Sequence, residues 1–193
     1  MPRGAKQATP QLRVIGGQWR GRKLQFPDRP GLRPTGDRIR ETLFNWLGPH
    51  LHNAKCLDLF AGSGALGIEA LSRGAAHCDF VDADREAANT VGHHLNTLNA
   101  TDSSSVNCDM AERYLRQTED KWDIVFIDPP FDARLGMSTL TLLAVGDRLT
   151  EASRVYFETS RSQPEPVPGG CYDVLRENCL LYTSDAADDR SCV

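Results

Sequence analysis

No apolar run in the 193-residue chain approaches the roughly 18 residues needed to cross a bilayer. The basic start, Met1-Pro2-Arg3-Gly4-Ala5-Lys6, is not followed by the apolar stretch of a secretory signal. A cytoplasmic protein with no membrane partner is therefore expected. The six cysteines, at 56, 78, 108, 171, 179 and 192, form no C-x-x-C pair, and none lies at zinc-ligand spacing from a histidine. That excludes a structural metal and leaves reduced thiols, several buried beside strands. The five histidines show no catalytic spacing, and His93 and His94 are assigned to a helix surface. There is no internal repeat. The 40% apolar and 25% charged composition is ordinary for a globular protein, and the length suits one domain with an appendage.

Charge is unevenly shared. Residues 1–46 carry ten Lys and Arg against three Asp and Glu, whereas the remaining 147 carry 12 against 23. A basic arm on an acidic body suits a polyanionic partner met by the arm. Residues 1–10 are expected to be a disordered basic tail.

Two short strands are expected at 12–15 and 23–26, joined by the glycine-rich Gly16-Gly17-Gln18-Trp19-Arg20-Gly21. Arg20, Arg22 and Lys23 project from this hairpin. After a loop over 27–34, Thr35 or Asp37 caps a helix whose apolar face holds Ile39, Leu43, Trp46 and Leu47, and Gly48-Pro49 stops it. From Lys55 the pattern alternates strand and helix. Strands are predicted at 56–60, 78–82, 104–108, 124–127 and 154–158, and helices at 65–73, 85–99, 111–117 and 137–149. This order implies an α/β fold, a mostly parallel, doubly wound sheet that binds ligands at the C-terminal edge of its strands.

Gly62-Ser63-Gly64-Ala65-Leu66-Gly67 satisfies G-x-G-x-x-G between a strand and a helix. Asp82, twenty residues beyond Gly62, is placed to accept from ribose hydroxyls. On that pattern alone NAD binding is a fair reading. Asp58 separates the possibilities, because a carboxylate at this turn repels a pyrophosphate and attracts an ammonium. S-adenosylmethionine carries an ammonium and a sulfonium and no phosphate. The acids Asp58, Asp82, Asp84 and Asp109 favour it, with Asp84 better suited to capping the next helix. Asp109 is assigned to the adenine amino group. Phe60, Gly62, Ser63 and Gly64 belong to the same cofactor set, as do Ala83 and Met110.

Asp128-Pro129-Pro130-Phe131 follows a predicted buried strand. An exocyclic nucleobase amine is a poor nucleophile because its lone pair is delocalised into the ring. Acceptors on its N–H groups free that pair, and the Asp128 carboxylate and Pro129 carbonyl supply them. Pro129 and Pro130 stiffen the backbone, and Phe131 offers a face for an unstacked base.

These signatures resemble the class I methyltransferases that modify nucleobase amines. Arg13-Val14-Ile15-Gly16-Gly17-Gln18-Trp19-Arg20-Gly21-Arg22-Lys23-Leu24, the run from Gly31 through Leu47, and residues 58–74 are similar to the bacterial small-subunit ribosomal RNA guanine-N2 methyltransferases of the RsmD type. The resemblance covers about residues 11–178. It implies a Rossmann-like fold with a small N-terminal β-hairpin extension, residues 11–50, before a cofactor domain, residues 51–178. It implies a monomer that uses S-adenosylmethionine to methylate N2 of one guanine in 16S rRNA, within the small ribosomal subunit or its assembly intermediate. Arg20, Arg22 and Lys23 then contact phosphates, while Arg33, Thr35 and Arg38 sit near the cofactor and guanine. Arg40 is assigned to a solvated helix face.

One departure stands at the C-terminal end. Family members close the sheet with an apolar hairpin. Here residues 179–193, from Cys179-Leu180-Leu181-Tyr182 onward, read as translated adapter sequence and not as a native tail. An unpaired sheet edge is expected in consequence.

Other chemistries share these signals. DNA or RNA adenine-N6 and protein glutamine methyltransferases use a similar tetrapeptide. The basic hairpin opposes a protein substrate, and the lack of a separate recognition domain opposes sequence-specific DNA. An NAD oxidoreductase lacks a hydride-transfer tyrosine-lysine or histidine arrangement. A non-catalytic RNA-binding module is at odds with an intact Asp128 and glycine loop.

Overall fold

The computed structural model describes residues 10–26, 36–130, 135–160 and 171–176, together with the backbone of 178–180 and 190–192. The basic tail over 1–9, the loop over 27–35 and Phe131 lie outside the described residues.

The N-terminal hairpin pairs β1 (Gln11–Arg13) with β2 (Lys23–Gln25), antiparallel, with Leu12 opposite Leu24. The alternation exposed-buried-exposed turns both leucines inward. Then comes α1 (Asp37–Leu51), with Ile39, Leu43, Phe44 and Leu47 buried on one face. Its N-cap is Gly36, which makes no side-chain cap bond, and Asp37 adds acidic charge in the first turn. The predicted stop at Gly48-Pro49 is corrected: the helix carries Pro49 inside it and ends at Leu51. Proline this near a helix end removes one backbone bond, and burial of Leu51 holds the last turn down.

The main sheet alternates with helices: β3 (Lys55–Asp58), α2 (Ala65–Ser72), β4 (His77–Asp82), α3 (Arg85–Thr97), β5 (Ser104–Cys108), α4 (Ala111–Gln117), β6 (Trp122–Ile127), α5 (Leu135–Val145) and β7 (Leu149–Ser160). The helix expected over 137–149 ends four residues early, where Gly146 and left-handed Asp147 turn the chain into β7. Two further strands follow, β8 (Asn178–Leu180) and β9 (Arg190–Cys192). The strand order is β5-β4-β3-β6-β7-β9-β8, parallel from β5 to β7 and antiparallel thereafter. Where an unpaired edge is expected, β9 pairs with Glu158, Thr159 and Ser160, the last three residues of β7. Backbone donors and acceptors suffice for that pairing, whatever the side chains.

Period-two alternation splits the core in two. Cys56, Phe80, Ile124, Phe126 and Tyr156 face the hairpin, α1, α2 and α3. Leu57, Val81, Val125, Ile127 and Phe157 face α4 and α5. Phe44 of α1 packs on Phe126 with ring centroids 5.8 Å apart. Gly67 brings α2 down onto the sheet, since a Cβ there would lie 2.3 Å from the Phe80 ring. The sheet winds outward in both directions from β3 and β6, so the order reverses between these two strands. Crevices form at such points, beyond the C-terminal strand ends.

Candidate active site

Asp58 closes β3 and is buried, and its Oδ2 accepts the Gly67 N–H at 2.9 Å. Burial pushes its pKa from 3.8 up to about 7; the Gly67 bond opposes this, and nearby Asp82 adds to it. A carboxyl held in that state gains from an arriving cation.

Residues 61–64 turn β3 into α2. Ala61 N–H donates to Val81 O at 3.0 Å and Gly64 N–H to Ala61 O at 2.7 Å. Gly64, the N-cap, has φ +79, a left-handed conformation that a side chain would strain. Ser63 is buried within this turn. Phe60, half-buried, packs against the α4–α5 side of the core.

Asp82 ends β4 and organises the next strand end. Its Oδ2 accepts Gly62 N–H at 2.7 Å and its Oδ1 accepts Asp84 N–H at 2.8 Å. Each oxygen retains a further lone pair, so the side chain can fix the loop and still accept from a ligand hydroxyl. Asp84 caps α3 by accepting from Glu86 and Ala87 N–H. Ala83 is exposed beside it. Asp109 follows β5, and its N–H donates to Asp82 O at 3.0 Å. Its carboxylate accepts from Met110 N–H and pairs with Arg113. Met110 is exposed, presenting a large apolar side chain at the rim.

Asp58 lies opposite Phe126 in the β3–β6 register. Asp128 therefore stands two residues farther along the adjacent strand, half-buried, with Pro129 buried and Pro130 exposed. The last β6–β7 pair, Ile127 with Phe157, brings Glu158 alongside Asp128. Glu158 is buried and accepts from Tyr156 Oη at 2.9 Å. The residues proposed for cofactor and methyl acceptor thus share one edge of the sheet. Phe131, Arg33 and Thr35 lie outside the described residues.

Arg20, Arg22, Lys23 and Arg38 are exposed. Arg22 Nη2 donates to Thr97 O at 3.3 Å, tying it to the end of α3. The hairpin is fixed to α2 by groups the sequence reading passed over. Glu69, fully buried, accepts Ile15 N–H and Gly16 N–H, each at 2.8 Å. Ser72 Oγ donates to Gly16 O and accepts Trp19 N–H. Gly17 (φ +73) lets the turn approach α2 so closely that a Cβ would sit 1.7 Å from Ser72 O. A lone acid in the otherwise apolar Ala65-Leu66-Gly67-Ile68-Glu69-Ala70-Leu71 was the legible sign.

Two earlier assignments are corrected. Arg40 is buried and not solvated, donating to Asp37 Oδ1 at 2.7 Å and Arg13 O at 2.8 Å. His94 is buried and not on the surface, its ring between Ser63 O and Gln25 O. Its sign was position: three residues after buried Val91, it continues the apolar stripe of α3. His93 is exposed. Cys56 and Cys78 are buried, with thiol pKa values pushed up by burial, to about 12 for Cys56. Neither is a ready nucleophile.

The family model described as Conserved hypothetical protein 95 matches residues 12–180. Ribosomal RNA small subunit methyltransferase D of Escherichia coli (strain K12) is 47% identical over 167 residues, spanning 86% of this chain and 84% of the relative. The protein of the same name from Haemophilus influenzae is 42% identical over 164 residues, 83% of this chain and 85% of the relative. Among solved structures, the Escherichia coli protein yhhF superposes with a TM-score of 0.79 at 39% identity, over 95% of this chain and 96% of that one. The extent of these matches makes the chain a member of the Conserved hypothetical protein 95 family, the family of ribosomal RNA small subunit methyltransferase D.

Proposed function

We propose that this chain transfers a methyl group from S-adenosylmethionine to the exocyclic N2 of a specific guanine in 16S rRNA, acting as a monomer on the small ribosomal subunit or its assembly intermediate. The observation that carries the reading is the juxtaposition of Asp58 and Asp128 on neighbouring strands, across the point where strand order reverses. The names of the relatives support rRNA of the small subunit as substrate class. Asp58 meets the methionine ammonium, and its raised pKa makes it an acceptor that gains most from a cation. Asp82 receives the ribose hydroxyls while holding Gly62, and Asp109 and Met110 border the adenine. A pyrophosphate in the same turn would face buried Asp58, which disfavours a dinucleotide.

S-adenosylmethionine supplies an electrophilic methyl on a positive sulfur, with a neutral thioether as leaving group. The chain's own task is to orient the amine. Asp128 and the Pro129 carbonyl accept its two N–H bonds, localising the lone pair toward the methyl, and the flanking prolines hold them in place beforehand. The methylated amine is acidic and loses its proton late, so Asp128 needs little basicity. Phe131 stacks the extruded base. Arg20, Arg22 and Lys23 contact phosphates, and Arg33, Thr35 and Arg38 border the cofactor and the incoming guanine.

The test is transfer of labelled methyl to small subunits lacking the modification, with digestion to nucleosides. Label in N2-methylguanosine that vanishes with Asp128→Ala is expected. Label in another nucleoside, or none from folded and cofactor-binding protein, would sink the assignment.

A further inference from the structure

His94 lies inside α3 at 1% exposure, and its two ring nitrogens face two separate parts of the chain. Nε2 is 2.8 Å from the carbonyl of Gln25, which ends the arginine-bearing hairpin. Nδ1 is 3.2 Å from the carbonyl of Ser63, at the centre of the glycine loop. Burial lowers the pKa of this ring, while the two carbonyl contacts and His93 act as smaller, opposing and reinforcing influences. A neutral imidazole carries one N–H, so the ring donates to one of the two carbonyls at a time and packs against the other, the tautomer deciding which. The ring is rigid, and α3 behind it is anchored by buried Val91 and Leu95. The ring therefore stands between the hairpin end and the loop, within contact distance of both.

We propose that His94 is a positioning residue that ties the RNA-contacting hairpin to the cofactor loop, so that occupancy of either strengthens binding at the other. This rests on the functional reading above. The loop places the methyl donor and the hairpin places the RNA, and in-line transfer requires both in one frame. Coupling of this kind is reciprocal, so it is measurable from either ligand.

The experiment measures affinity for unmodified small ribosomal subunits with and without saturating S-adenosylhomocysteine, the product of transfer. The wild-type chain is expected to bind about fivefold tighter with the nucleoside present, the low end of typical coupling. His94→Leu brings that ratio to about one. His94→Gln keeps an amide donor toward the carbonyls and restores most of it. His93→Leu, on the exposed side of the same turn, leaves the ratio at the wild-type value. Should His94→Leu not fold, His94→Asn, too short to reach both carbonyls, carries the same expectation of a ratio near one. A wild-type ratio of one with both ligands bound, or an undiminished ratio in the folded His94 variants, overturns the inference and leaves the proposed function standing. Failure of the wild-type chain to bind the nucleoside or the subunits overturns both.

Discussion

Arg40 Nη1 stands 3.6 Å from Glu69 Oε2, with the arginine side chain 1% exposed and the glutamate 0%. The pair joins α1 to α2 beneath the hairpin. Glu69 also receives Arg73 Nε at 2.7 Å, and Arg40 also holds Asp37 and the Arg13 carbonyl. Four segments, namely β1, α1, α2 and the hairpin turn, converge on two side chains. A buried pair of this sort adds little over an apolar replacement, but breaking it from one side is costly.

Glu69→Ala is therefore expected to destabilise the fold by about 3–5 kcal/mol, leaving the Arg73 guanidinium and two backbone N–H groups without their acceptor and Arg40 without its ion-pair partner on α2. Glu69→Gln should lose less, since one oxygen still accepts. Urea unfolding of the three proteins checks this.

Gly67→Ala forces a methyl group into the Phe80 ring and the Cys78 sulfur, at 2.3 Å and 2.8 Å. A loss of about 1–3 kcal/mol is expected from overpacking. Displacement of α2 also pulls the Gly67 N–H from Asp58, so on the proposed reading weaker cofactor binding should accompany the lower melting temperature. Calorimetry of unfolding and of binding would show whether the two move together.

Asp58 sets a pH dependence whose sign is the reverse of the usual carboxylate case. Its folded pKa of about 7 exceeds the unfolded 3.8, so between these values the folded state holds the extra proton. Its contribution to stability is present below about pH 4 and is lost as pH rises through 7. On the proposed reading Asp58 meets the cofactor's ammonium, which favours the ionised form, so cofactor affinity should increase from pH 6 to pH 8 with proton release. Asp58→Asn should flatten that profile and weaken binding. Titration calorimetry in buffers of different ionisation heat measures both.

Asp128→Asn retains shape and one acceptor oxygen but not the charge. On the proposed reading the turnover number is expected to fall about 10²–10³-fold while the cofactor dissociation constant changes little. Single-turnover methyl transfer alongside equilibrium binding separates the two.

Arg20→Ala and Lys23→Ala each remove one phosphate contact on the proposed reading. Both should weaken subunit binding without altering which nucleoside is methylated, and each should lower the salt dependence by about one ion. An unchanged salt slope would remove the hairpin from the RNA interface.

The elements legible beforehand were those with strong local signals. A near-continuous apolar run marked β6, the glycines marked the turn into α2, and Asp84 announced the N-cap of α3. Boundaries set by competition between local and distant forces were less accessible. Pro49 spoke for a helix end, and burial of Leu51 overrode it. The site's acids could be ordered along the chain because parallel strands deliver their C-terminal ends to one edge.

Local chemistry and periodicity were enough to specify an α/β sheet, a glycine loop after β3 and a tetrapeptide after β6, because each depends on residues within a few positions of one another. The roles of Arg40, Glu69 and His94 depend on partners 27 to 69 residues away: Arg40 on Arg13, Glu69 on Ile15 and Gly16, His94 on Gln25 and Ser63. A charged or polar side chain looks alike in sequence whether water or a buried carbonyl receives it. Packing of the hairpin, α1, α2 and α3 on one face of the sheet removed the water, and the desolvated groups then had to find one another.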